Sequence, residues 1–354
     1  MKTTTKLIGS PLFRPFLVLL VLVGIALAVR YFPRSATSGP AEVVKRDLEV
    51  MGTLWTIQVV AATDLDVARA ELAIEQAFQE LHRIDALMSD WKDDSPLSAI
   101  NSSAGQEPTF VPAELVGIIS RGIRFGEMTA GAFDITWKAM DHLWHFNDPF
   151  VVPSQSTVAD ALQFVDFRKI SITDQHVSLP EGFAIGLGGI AKGYAIDRAG
   201  AIVRESGFRD FLVNGGGDIL ARGKRGTRPW SIGIRHPRGA PDELLAKVLL
   251  SDASVVTSGD YERFRIVDGV RYHHIVDPRT GYPAGKSQAV TIVAETAEEA
   301  DVLATAVFVL GHEKGLPLVA SFPGVEAFVI DAEGRFWMTD GFKELAEFFT
   351  ESGG

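Results

Sequence analysis

From residue 211 to residue 294 the chain reads as one short β-type segment after another. Residues 211–213, 230–234, 246–250, 254–258, 262–266 and 288–294 are apolar or alternating, and the gaps between them are hairpin-like. A doubly wound parallel sheet needs a helix between successive strands. This order instead favours an α+β fold of mostly antiparallel or mixed sheets flanked by helices. Helical periodicity lies outside the cluster. Ile74, Ala77, Phe78, Leu81, Ile84 and Met88 recur at helical spacing within 65–88, and 112–128, 191–206 and 297–310 also read as helices. Residues 48–60, 169–179 and 183–187 read as single strands. Residues 325–330 and 335–339 read as a hairpin turning at Asp331-Ala332-Glu333-Gly334.

The N-terminus is of a different kind. Lys2 and Lys6 precede an apolar run from Phe16 to Val29, which Arg30 closes. The run suits a signal-peptide core and falls short of the ~20 residues of a typical membrane span. Residues 1–32 are therefore read as a cleaved signal peptide or a short membrane anchor, and both place the rest outside the cytoplasm. Residues 33–46 are rich in Pro, Ser, Gly and Ala and read as a linker, leaving 47–350 as one domain. The chain has no Cys, which excludes disulfides, zinc–thiolate sites, a thiol nucleophile and a lipidated leader. Its first 36 residues hold no acid, although the whole carries a net charge of −11, so the body is acidic. That argues against nonspecific nucleic-acid binding.

Three motifs carry chemistry. Asp301 and Thr305, four apart in the helix 297–310, offer a carboxylate and a hydroxyl on one face. Oxygen ligation of this kind suits Mg²⁺ in phosphate chemistry. Alone, the pair reads equally as capping and packing. The turn Gly186-Leu187-Gly188-Gly189-Ile190-Ala191-Lys192-Gly193 opens a helix but has neither Walker nor Rossmann spacing. It reads as a phosphate cradle or as a tight strand-to-helix turn. His273-His274 precedes Asp277-Pro278. Adjacent strand residues point oppositely, so one imidazole at most faces a given site, where it would suit general-base work.

Taken in order, these and five further blocks resemble the FAD:protein FMN transferase family, also called the ApbE family. The blocks are Met51-Gly52-Thr53, Met88-Ser89-x-Trp91 through Asn101, Gly131–Thr136, Gly188–Asp197, Asn214–Asp218, Ser258–Tyr261, His274–Gly281 and Ala300–Gly311. The resemblance implies a T-fold-like α+β catalytic domain that takes FAD as substrate with Mg²⁺. It implies transfer of FMN to a Thr or Ser of an acceptor flavoprotein of a membrane electron-transfer system, with AMP leaving. Carried over residue by residue, it assigns the metal to Asp301, Thr305 and the Gly189 carbonyl. FAD would lie against Met51, Trp91, Ala132, Phe133, Asp134, Lys192 and Ile275, with His274 as base. An FAD pyrophosphatase is the nearest alternative, and a non-catalytic flavin carrier the alternative of another class. One position departs from the family's pattern: Gly186 stands where an Asp contacting FAD is usual, with Asp134 or Asp218 available to compensate.

Overall fold

The computed structural model describes residues 42–146, 149–240 and 242–349. The leader and residues 33–41 of the linker lie outside the described residues. The fold is α+β. Its middle layer is an eight-stranded sheet in the spatial order Glu42–Val50, Thr53–Ala61, Phe211–Gly215, Asp218–Arg222, Asp252–Gly259, Ser287–Ala294, Glu326–Asp331 and Phe336–Met338. Every neighbouring pair is antiparallel, and spatial order follows chain order. Excursions therefore leave the sheet and return beside the strand they left.

Side-chain alternation explains the layers on either side. Phe211 and Val213 enter a core shared with helices Asp64–Met88 and Ala191–Glu205, while Leu212 between them enters another core on the opposite face. That opposite face is covered by a three-stranded sheet of Trp230–Arg235, Leu244–Leu250 and Ala346–Phe348. Helix Ala297–Leu310 packs beside Ala191–Glu205 and against the strands Asp252–Gly259 and Ser287–Ala294. Buried on nearly every side, it is built from Ala, Val, Leu and Phe. Among the described residues no helix is long and apolar enough to cross a membrane.

The strand read over 48–60 is in fact two. It breaks at Met51-Gly52, where both residues have positive φ (53° and 70°), and the buried Trp55 indole donates to the Val50 carbonyl across the turn at 2.9 Å. A two-residue turn of this kind favours Asn-Gly or Asp-Gly, so Met-Gly gave no signal. The first of the two strands begins at Glu42, inside the segment read as linker. The reading of 169–179 as one strand likewise gives way to a short hairpin, Ser171–Thr173 with His176–Ser178, turning at Asp174. Residues 183–187 are not a strand. The Asn101 side chain takes both backbone groups of Ile185, and the Gly186 amide donates to the Ile135 carbonyl, so no ladder remains to form. Finally, the strand at 211 runs on to Gly215. Gly216 and Gly217 turn at positive φ, and Asp218–Arg222 returns as the next strand.

Candidate active site

Two helices cross at the end of the glycine-rich turn with no side chain between them. A Cβ on Gly193 would lie 2.3 Å from the Ala297 carbonyl oxygen, so this glycine serves the crossing. One turn later, Asp197 accepts from the amides of Ala297 and Glu298, each at 2.9 Å, and Thr296 caps the same helix through the Glu299 amide. Burial pushes the Asp197 carboxyl up to about 6, against the pull of those two donors. The crossing sets Asp301 against the turn, where its Oδ2 accepts from the Gly193 amide at 3.1 Å.

Asp301 is buried, and burial pushes its carboxyl up to about 7. Lys192 opposes this and Asp218 adds to it. Thr305 lies one turn on. A Cβ built on Gly189 would stand 3.6 Å from the Thr305 hydroxyl and 3.0 Å from the Phe133 ring, which brings Gly189, Thr305 and Phe133 together. Lys192 pairs with Asp218, the residue that follows the Gly216-Gly217 turn. Among the described residues no group of three or more His, Cys, Asp or Glu gathers as a metal site. A cation here would have Asp301, the Thr305 hydroxyl and the Gly189 carbonyl, with phosphate oxygens and water completing the shell. That donor set fits Mg²⁺, and a buried carboxylate raised by desolvation is one that a cation stabilises.

The two histidines separate. His273 ends the strand Val270–His273 and is buried, its Nε2 2.7 Å from the Ala284 carbonyl. Its Nδ1 accepts from the Ile275 amide, and its ring meets Phe308 edge-on. It is a structural imidazole, held on both ring nitrogens by the backbone. His274 has a buried Nδ1 with no hydrogen-bond partner among the described residues. Burial first, then the charges of His273 and Arg263, hold it down to about 4, with Lys192 adding to the same effect. It is therefore neutral at physiological pH.

The residues assigned to FAD are distributed along this turn and the end of the sheet. Trp91 is 72% exposed, with the Lys138 ammonium 4.1 Å over its ring. Ala132 and Ile275 share the apolar cluster around helix Ala297–Leu310, and both backbone groups of Ile275 are bonded within the protein. The strained Met51 turn lies beside the Gly216-Gly217 turn, where the Gly216 amide donates to the Leu54 carbonyl. Asp134 is different from the others. Its Oδ1 accepts from the amide and hydroxyl of Thr136, and its Oδ2 from the Phe167 amide, so its carboxylate is used inside the protein. It shapes the loop carrying Ala132 and Phe133. Asn101, Lys138 and Asp197 position the site; the first and last close two of the quoted blocks without a role being read for them, and Lys138 was not singled out from sequence. A polar residue late in a short helix, or a lone lysine in a 3₁₀ segment, gives no pattern from which to read such a role.

The sequence profile of the ApbE family matches residues 51–329. An FAD:protein FMN transferase of Treponema pallidum is 38% identical over 305 residues, covering 81% of this chain and 84% of that protein. One from Escherichia coli is 30% identical over 88% and 92% of the two chains. Among solved structures, the ApbE protein of Thermotoga maritima superposes with a TM-score of 0.78 at 34% identity, over 86% of this chain and 99% of that one. The flavin transferase ApbE of Vibrio cholerae gives 0.75 at 27% identity, over 86% and 100%.

Proposed function

The chain belongs to the ApbE family and is a transferase, and on that premise we propose that it is an Mg²⁺-dependent FAD:protein FMN transferase. It attaches FMN through a phosphoester to a Thr or Ser of a partner flavoprotein and releases AMP. One observation carries this reading. The single turn from Gly186 to Gly193 touches an aromatic-bearing loop at its start, Phe133 and Thr305 at Gly189, and Asp301 at its end. The turn thus runs from an aromatic ring to the residues of a phosphate site. Gly188, with nothing within 4 Å of a Cβ placed on it, leaves the backbone between them open to close approach.

Mg²⁺ held by Asp301, Thr305 and the Gly189 carbonyl would neutralise charge on the pyrophosphate and fix its orientation. The chain's own residues do the rest. The acceptor hydroxyl oxygen forms the new bond to the FMN phosphorus as the bond from that phosphorus to the bridging oxygen breaks, and the bridging oxygen departs with AMP. Neutral His274 takes the hydroxyl proton. Lys192, paired with Asp218 in the structure, is a cation available for the negative charge that develops. The buried, apolar wall of Phe133, Ala132 and Ile275 excludes water that would compete as nucleophile.

Residues 1–32 tether the chain to the inner membrane or export it, with the catalytic domain in the periplasm beside a membrane electron-transfer flavoprotein. The support is the basic, acid-free apolar leader. Incubation with FAD, Mg²⁺ and such an acceptor should place flavin fluorescence on the acceptor band of a denaturing gel. Free FMN and AMP in equal yield with or without acceptor would instead establish a pyrophosphatase. A reporter that is active only after export, fused after Gly354, should be active.

A further inference from the structure

Gly186 begins the turn, and its missing side chain matters more than its flexibility. A Cβ placed there would lie 3.1 Å from Lys138 Cβ and 3.4 Å from Asp90 Oδ2. A side chain at 186 would thus start against the Lys138 stem, with a carboxylate from another loop already in van der Waals contact. Lys138 Nζ holds that carboxylate at 3.0 Å and holds Asp141 at 2.7 Å, with all three side chains largely buried. The same ammonium sits over one face of Trp91, whose exposure leaves the other face to solvent.

The charge of this group selects its ligand. Two carboxylates around one ammonium leave one negative charge, which repels phosphate and favours a neutral donor. Lys138 engages Asp90 through Oδ2, which leaves Oδ1 to another donor. Such an acceptor, beside an aromatic face set for stacking, fits the N–H edge of a flat heteroaromatic ring. The pyrophosphate belongs at the other end of the turn, with Asp301 and Lys192.

Resting on the FAD reading above, we propose that Asp90, positioned by Lys138, supplies the carboxylate that Gly186 cannot, and accepts a ring N–H of the dinucleotide stacked at Trp91. FAD offers two such groups, the flavin imide and the adenine amine. The two positions address the same spot, because a Cβ at 186 would already touch the Asp90 carboxylate.

The test is equilibrium binding of FAD, FMN and ADP with Mg²⁺ to the purified chain, followed by fluorescence. Asp90→Ala should weaken FAD binding about tenfold or more, the usual range for a hydrogen bond to a charged group. Asp90→Asn, which keeps shape and loses charge, should do so in part. Adding Gly186→Asp to Asp90→Ala should restore affinity, whereas Gly186→Asp alone should weaken it by setting two carboxylates together. A merely structural role for Asp90 would give no such rescue. Loss confined to FMN identifies the flavin imide, and loss confined to ADP the adenine amine. Unchanged affinity for all three ligands in Asp90→Ala, from a wild type that binds FAD, overturns the proposal. A wild type that binds no FAD overturns the reading of the site itself.

Discussion

The amide of Gly193 donates to the Asp301 carboxylate across 3.1 Å, from one helix to the next. The bond fixes one carboxylate oxygen of Asp301 and leaves the other to the site. It also holds a deeply buried carboxyl in one orientation.

Asp301→Asn keeps the shape and can keep the Gly193 bond through its amide oxygen. It should therefore fold with a denaturation midpoint at or above that of wild type, since a costly buried charge is gone. Transfer should fall to background even at millimolar Mg²⁺. Turnover near wild type would remove Asp301 from the metal site.

His274→Ala should leave FAD binding within a few-fold and lower transfer by about two to four orders of magnitude, the span of a lost general base. The pH dependence follows from its environment. Burial lowers the imidazole to about 4, so the base is unprotonated above that value and is lost as pH falls through it. The acidic limb of the pH–rate profile should lie near 4, well below the ordinary imidazole value, and disappear in the variant. A limb near 6.5 would mean that the group titrating is more exposed than His274.

His273→Ala should damage the fold rather than the chemistry. It leaves the buried Ala284 carbonyl without its donor and opens a cavity against Phe308. Together these should cost about 2–4 kcal/mol, read from denaturant unfolding. Folded protein that survives should transfer FMN at nearly the wild-type rate per molecule.

Met51 occupies a left-handed backbone conformation that strains a side chain with a Cβ. Asn tolerates that conformation but loses the half-buried thioether contact. Met51→Asn should therefore change stability by no more than about 1 kcal/mol, the two effects offsetting. FAD binding should weaken about tenfold. Unchanged affinity, measured by flavin fluorescence, would make the strained turn structural alone.

The central antiparallel cluster was legible because alternation repeats over strands such as Trp230–Arg235, where buried and exposed residues alternate throughout. Asp301 and Thr305 were legible as a pair because helical spacing alone places them on one face. What escaped reading depended on partners distant in sequence. The Met51 turn is imposed by Trp55 and the neighbouring strand, not by turn residues. Residues 183–187 look like a strand until Asn101 takes the backbone bonds of Ile185. His273 and His274 are adjacent, yet hydrogen bonding alone distinguishes the one held on both nitrogens from the one with an unpartnered Nδ1. Asp134 carries the right chemistry for a ligand contact, and only the Thr136 and Phe167 amides reveal that its carboxylate is already used.

Gly188 and Gly193 lie five residues apart in one turn and answer to different constraints. A side chain at 193 would strike the Ala297 carbonyl, whereas one at 188 would meet nothing within 4 Å. Drift at 193 is therefore barred in any chain that keeps this helix crossing, active or not. Drift at 188 is barred only while something must pass close to the backbone. A descendant that kept the architecture but abandoned catalysis would retain the second glycine and be released from the first, so comparing the two positions across lineages would date the loss of activity without an assay.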